Sequence, residues 1–136
     1  PSGVSTFSQT PLPGHVEAPF AGDLSLQLMK EAFLSYRNLY LGVPIQGDGA
    51  IGLDDYLRSL GDVNRGAQLD SDIRAQLVAA EEALEALESP LSEFVISQQD
   101  LTFDAYAELQ GLVVLWKVDM MSALGVLVTY QDNDGD

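Results

Sequence analysis

The stretch from Gly111 to the C-terminus, GLVVLWKVDMMSALGVLVTYQDNDGD, constrains the fold more than any other part of the chain. Its helical portion is apolar on nearly every side and is interrupted by Lys117 and Asp119. At about 100° per residue, Tyr106, Leu109, Val113, Trp116, Met120 and Leu124 share one face, and Val114, Val118 and Met121 fall nearly opposite. Asp104, Glu108, Asp119 and Ser122 form a polar edge that also holds Gly111. A helix with two apolar faces needs a large neighbour on each, so it is expected to be the central helix of a bundle or to sit against a partner. Positions two apart do not face each other, so Lys117 and Asp119 are separately directed charges rather than a pair.

The remainder of the chain is also helical in pattern. Residues 1–22 are rich in Pro, Gly, Ser and Thr and read as an extended N-terminal arm or loop. A first helix is predicted from about Leu24 to Leu41, with Leu26, Met29, Phe33, Tyr36 and Tyr40 at helical spacing and Gly42 and Pro44 ending it. VPIQGDGAIG is a glycine-rich loop, and GLDDYLRSLG a short helix whose Asp54 and Asp55 suit the positive end of the dipole. A long helix comes next, from about Ser71 to Glu88, capped by Asp70 or Ser71, with Ile73, Leu77, Ala80, Leu84 and Leu87 as a bundle seam. Ser89-Pro90 reads as a cap and a first-turn proline for a segment carrying Leu91, Phe94 and Val95. The last helix is expected over Phe103 to Leu124, with Gly125 breaking it before a short extended VLVTY. The expected fold is an all-α, four-helix-bundle-like domain over residues 23–136, with up-and-down helices and a short extended C-terminal segment.

Composition excludes several classes of partner. Among 136 residues, 46% hydrophobic, there are 21 Asp+Glu against 6 Lys+Arg, a formal charge of −15. Such a chain repels phosphate backbones and anionic lipid surfaces, so nucleic acid is not an expected partner. No uncharged run reaches the length of a transmembrane segment. With no cysteine, disulfides, thiolate catalysis and cysteine-based metal sites are all excluded. No secretory signal or initiating Met precedes Pro1, so the chain is expected to be a processed or cut product.

Few residues are placed for chemistry. His15 is the sole histidine, which rules out a zinc-peptidase helix with two histidines inside this chain. His15 and Glu17 could share a metal site; the plain alternative is a solvated loop histidine. Arg37 is shaped to hold a carboxylate or an anionic ligand, or to make a structural ion pair. Lys117 either snorkels to water or is buried against a carboxylate of another segment. Asp132, Asn133, Asp134, Gly135 and Asp136 resemble the start of a calcium loop but lack a further Asp/Asn position before Gly135 and the glutamate that completes the loop.

Taken together, EAPF, RNLYLG, GAIGLDDYL and the run LVVLWKVDMMSALGVLVTYQDNDGD resemble the imelysin family, in order, over most of residues 17–136 and in the family's C-terminal half. The resemblance implies two helical halves with a functional site between them, in a periplasmic or cell-surface protein. It also implies iron acquisition or a metallopeptidase label. The family's G-x-H-x-x-E motif belongs to the other half, and GHVE does not fit its spacing. Iron or another divalent metal is therefore expected to be held mainly by a half not present here. The implied partner is that missing N-terminal half or, for a self-sufficient module, a second copy of this chain. Arg37, Lys117, Asp119, Asp132 and Asp134 lie in the matching segments and are the interdomain or ligand-site candidates.

Overall fold

The computed structural model describes residues 10–17, 22–44, 47–61 and 65–125. Among them the chain is all-α. Helix α1 is Ser25–Tyr40, α2 Leu53–Ser59, α3 Gly66–Glu85, α4 Leu91–Ser97 and α5 Gln99–Val114. A π-helical segment, Leu115–Met120, continues α5 into the short α6, Met121–Ala123. Asp132, Asp134 and the extended VLVTY segment lie outside the described residues.

α3 is the axis of the bundle. Its seam residues Ile73, Leu77, Ala80 and Leu84 are buried, with Leu87 just beyond its end, as their spacing predicts. α1 runs antiparallel along one side, with Lys30 bound to Glu85 (3.0 Å) and Tyr40 to Asp70 (2.8 Å). α5 runs antiparallel along the other, where Gln76 reaches the Glu108 backbone carbonyl at 2.9 Å. Burying one Leu, Ile or Phe side chain stabilises by about 1.5–3 kcal/mol, whereas an exposed ion pair gives about 0–1. Leu26, Phe33 and Leu84 therefore hold α1 to α3, and Lys30–Glu85 only trims the seam.

The central place expected for the last helix thus belongs to α3. The line that α5 buries is Ala105, Leu112 and Met120, while Val113 is exposed. Only the middle of its polar edge faces α3, where Gln76 satisfies both the carbonyl and the carboxylate of Glu108 and Gly111 lets the helices approach, while Asp104 and Ser122 stay exposed. The π segment completes this rotation. A π turn closes i to i+5, so each residue advances less than in an α turn. Continued as an ideal α-helix, Asp119 would swing towards the line of Leu112; the wider turn leaves it exposed and brings Met120 into the core.

Helix boundaries move for local reasons. α3 starts at Gly66, five residues before the expected start, because Asp70 is gripped by side chains rather than serving as a cap. Arg65 precedes it in the left-handed region, at φ 54°. α4 is capped at long range. Ser89 Oγ donates to the Asp23 carbonyl, and Glu17 Oε1 accepts the Ser92 N–H at 3.2 Å. The described part of the N-terminal arm is therefore docked, with a 3-10 turn at Pro13–His15 and Val16 against the core. α1 ends as expected at Gly42, φ 61°, where the Val43 N–H reaches the Asn38 carbonyl at 2.9 Å in a Schellman turn.

Gly66 and Gly111 both mark close approaches, but of different kinds. A Cβ at Gly66 would overlap the Leu57 backbone carbonyl, whereas one at Gly111 meets the Gln76 side chain, which can move. Gly66→Ala should destabilise by about 1–3 kcal/mol and Gly111→Ala by less. Urea unfolding of the two variants checks the order.

Candidate functional site: a buried charge clamp and a carboxylate-free face

The densest polar constellation lies where the C-terminus of α1 meets α2 and the first turns of α3. Asp54 and Asp70 are buried at 4% and 5% exposure, between two guanidiniums that remain partly open to solvent. Arg74 Nε donates to Asp70 at 3.0 and 3.1 Å, and its Nη2 contacts Asp54. Arg58 spans Asp54 (3.1 Å), Asp55 (2.5 Å) and Asp70 (3.4 Å). Tyr40 Oη donates to Asp70 Oδ1 at 2.8 Å. Asp55 also accepts the Gly52 N–H at 3.1 Å, closing the N-terminus of α2; that bond, followed by Arg58, holds its carboxyl below the usual carboxylate range.

Glycine makes the clamp possible. Gly42 and Gly52 put their backbones in contact, and a Cβ on Gly52 would strike Asp54 Oδ1 and the Tyr40 carbonyl. The Ala50 N–H bonds the Gly42 carbonyl at 2.9 Å, so the loop folds back over the end of α1 and delivers Asp54 to Arg74. Trp116 then packs against Tyr36 and Tyr40, with ring centroids at 4.0 and 5.5 Å. Burial raises the ionisation of both tyrosines well above the ordinary value, and for Tyr40 the bond to Asp70 adds to it.

This arrangement ties three helices together but does not offer a reaction centre. Its carboxylates are already engaged by guanidiniums, and the cluster pairs no nucleophile with a base. Among the described residues no group of three or more His, Asp or Glu is placed to hold a metal ion, so they do not fit a resident metal.

The residues singled out from sequence are engaged elsewhere. Arg37 pairs with Glu81 of α3 at 3.7 Å, both partly exposed. Lys117 is exposed on the π segment. Asp119, also exposed, lines a groove of about 430 Å³ beside Arg65, Asp72 and Ser122. His15 is exposed, and Glu17 serves α4. The clamp was not legible in the sequence because Asp54, Asp55, Arg58, Asp70 and Arg74 are distributed over two helices. The usable signal was Asp70 and Arg74 at i, i+4 on a helix whose next turn, at Ile73 and Leu77, is core.

A second feature is a surface. On α1, Met29 and Tyr36 face α5: Met29 shares a small cavity of about 70 Å³ with Tyr106 and Leu109, and Tyr36 stacks on Trp116. One step further round, away from α3, lie Leu28, Ala32 and Leu39, all exposed, with Leu39 at 65%. On α5 the corresponding outer row holds Phe103, Val113 and Val114, again exposed. Where Met29 approaches α5, Val16 of the arm and Leu91 and Val95 of α4 line the same cavity. In a chain with 21 carboxylates, neither of these two rows includes one, and Lys117 is exposed three residues beyond Val114.

No helix of the described residues is long and apolar enough to cross a membrane. Comparisons with family models, with curated proteins and with solved structures return no match.

Two outcomes test the clamp. Arg74→Met strips Asp54 and Asp70 of their shared partner while Arg58 remains, and should cost about 2–4 kcal/mol in urea unfolding. The tyrosines give a pH signature. Because their ionisation is raised in the folded chain, the stabilisation is complete below the ordinary value of 10.0 and is lost as pH climbs above it. Tyrosinate absorbance should show Tyr36 and Tyr40 ionising only together with alkaline unfolding, and Tyr36→Phe should remove part of that late step.

Proposed function

We propose that this chain is a docking half: a helical bundle of imelysin-like character, in an exported protein, that works by association rather than by catalysis of its own. The observation that supports the docking reading is the pair of exposed apolar rows on α1 and α5. Leu28, Leu39, Phe103 and Val114 are all more than half exposed there, in a chain otherwise dense in acid. Exposed large apolar side chains grouped on two helices suit a surface that another molecule covers. The family part of the proposal rests on the ordered motifs from EAPF to the terminal run, and iron acquisition is the process those motifs imply. Any metal would be held by the companion half, since the described residues here offer no converging donor set. The interdomain role expected of Arg37, Lys117 and Asp119 narrows under this proposal to Lys117, which is exposed just beyond Val114.

The test is reconstitution. Co-production with a helical half bearing a G-x-H-x-x-E motif, encoded in the same or the adjacent reading frame, should give a one-to-one complex by light scattering. Leu39→Asp and Val114→Asp, both exposed in the free chain, should break that complex without altering the far-ultraviolet circular dichroism. Iron should survive dialysis with the pair and not with this chain alone. A chain that stays monomeric beside such a half, or that forms a twofold dimer in preference to it, sinks the reading.

A further inference from the structure

On the flank of α1 turned away from α5, the seam with α3 opens into a groove. Met29 and Tyr36 lie towards α5, and at helical spacing Lys30 and Leu34 fall on the other side of the buried line through Leu26 and Phe33. There a space of about 400 Å³ is lined by α1 from Leu26 to Leu34 and by Glu81, Leu84 and Glu85 of α3. Its extent along α1 is about 12 Å, too short for a docked helix, and its volume suits a small molecule. The floor is apolar: Leu26, Phe33 and Leu84 are buried in the seam, and exposed Leu34 stands as a wall. The charges above this floor are unbalanced, with Glu31, Glu81 and Glu85 set against Lys30 alone. Lys30 is engaged by Glu85 at 3.0 Å, and Arg37, outside the groove lining, reaches Glu81 only at 3.7 Å. Glu31 makes no ion pair among the described residues. An ionised carboxylate offers about four acceptor positions, so Glu31 and Glu81 keep room for further donors.

We infer that this groove binds a small free organic cation, a primary ammonium carried on an apolar body. The body lies over Leu26, Phe33 and Leu84 against Leu34, and the ammonium donates to the carboxylates of the rim, Glu31 above all because no cation of the chain claims it. A small anion would meet an excess of like charge there. A metal ion would lack converging donors, since no group of three or more His, Asp or Glu among the described residues is placed to hold one. The groove lies on a different flank of α1 from the exposed row of Leu28 and Leu39, so this inference does not depend on the docking reading.

The experiment titrates the intact chain calorimetrically with phenethylamine, 3-phenylpropanoate and methylammonium. The first two share a ring and a linker and differ in charge; the third has the charge without the apolar body. Phenethylamine should bind about tenfold tighter or better than either of the others, because only it meets both the floor and the rim. Its amide shift changes should centre on Leu26–Leu34 and Glu81–Glu85. Glu31→Gln and Leu34→Ser, both at exposed positions outside the core, should each weaken it about fivefold or more. Glu82→Gln removes the same charge from an exposed site that does not line the groove, and should change the affinity less than about twofold. No binding of phenethylamine overturns the inference, and so does equal binding of the three probes. Equal losses in Glu31→Gln and Glu82→Gln also overturn it, since they would mark only the general attraction of a chain that carries −15.

Discussion

Two buried carboxylates, Asp54 and Asp70, held by Arg74 and Arg58, set the relation between α1, α2 and α3. Leaving an acid unpaired inside a protein costs several kcal/mol, so neither aspartate can stay where it is unless α2 comes to α3 in one register. That register requires the backbone contact of Gly42 with Gly52 and the close approach of Gly66 to Leu57. It also fixes Tyr40 at the end of α1, and through Tyr40 and Tyr36 the seat of Trp116. The orientation of α5 thus depends on a charge cluster to which it contributes no charge.

The clamp and the exposed apolar rows are different kinds of surface. At one end of the bundle, charged groups are sequestered and paired with one another, which suits a rigid platform. Along α1 and α5, apolar groups remain in water, which suits a surface awaiting cover. A surface on such helices would bind a partner at lower entropic cost than a mobile one, since α1 and α5 are already positioned by α3. The acidity of the chain serves the same end by discouraging contacts that lack complementary charge.

Much of the framework could be read from residue order. The seam at Ile73, Leu77, Ala80 and Leu84, the stop at Gly42 and the burial of Leu91, Phe94 and Val95 all follow from spacing. The two-faced character of the last helix was also legible, as exposed Phe103 and Val114 show. Its orientation was not. Periodicity ranks faces by how apolar they are, and the most apolar arc, with Val113 and Tyr106, is not the one that α5 turns to α3. A glutamine on α3 paired with Glu108 and the clearance at Gly111 outweighed the hydrophobic ranking.

By itself, the sequence determined an acidic, all-helical chain without thiol chemistry, with its apolar seams and with one helix that has more apolar surface than a small bundle can cover. These properties depend on composition and on near neighbours in the chain, which sequence states directly. Only the tertiary structure decided which acids are buried, that Asp54 and Asp70 share Arg74, and that Leu28, Leu39, Phe103 and Val114 stay exposed. The reason is physical: the value of a charge or an exposed leucine is set by what packs beside it, and those neighbours come from distant parts of the chain.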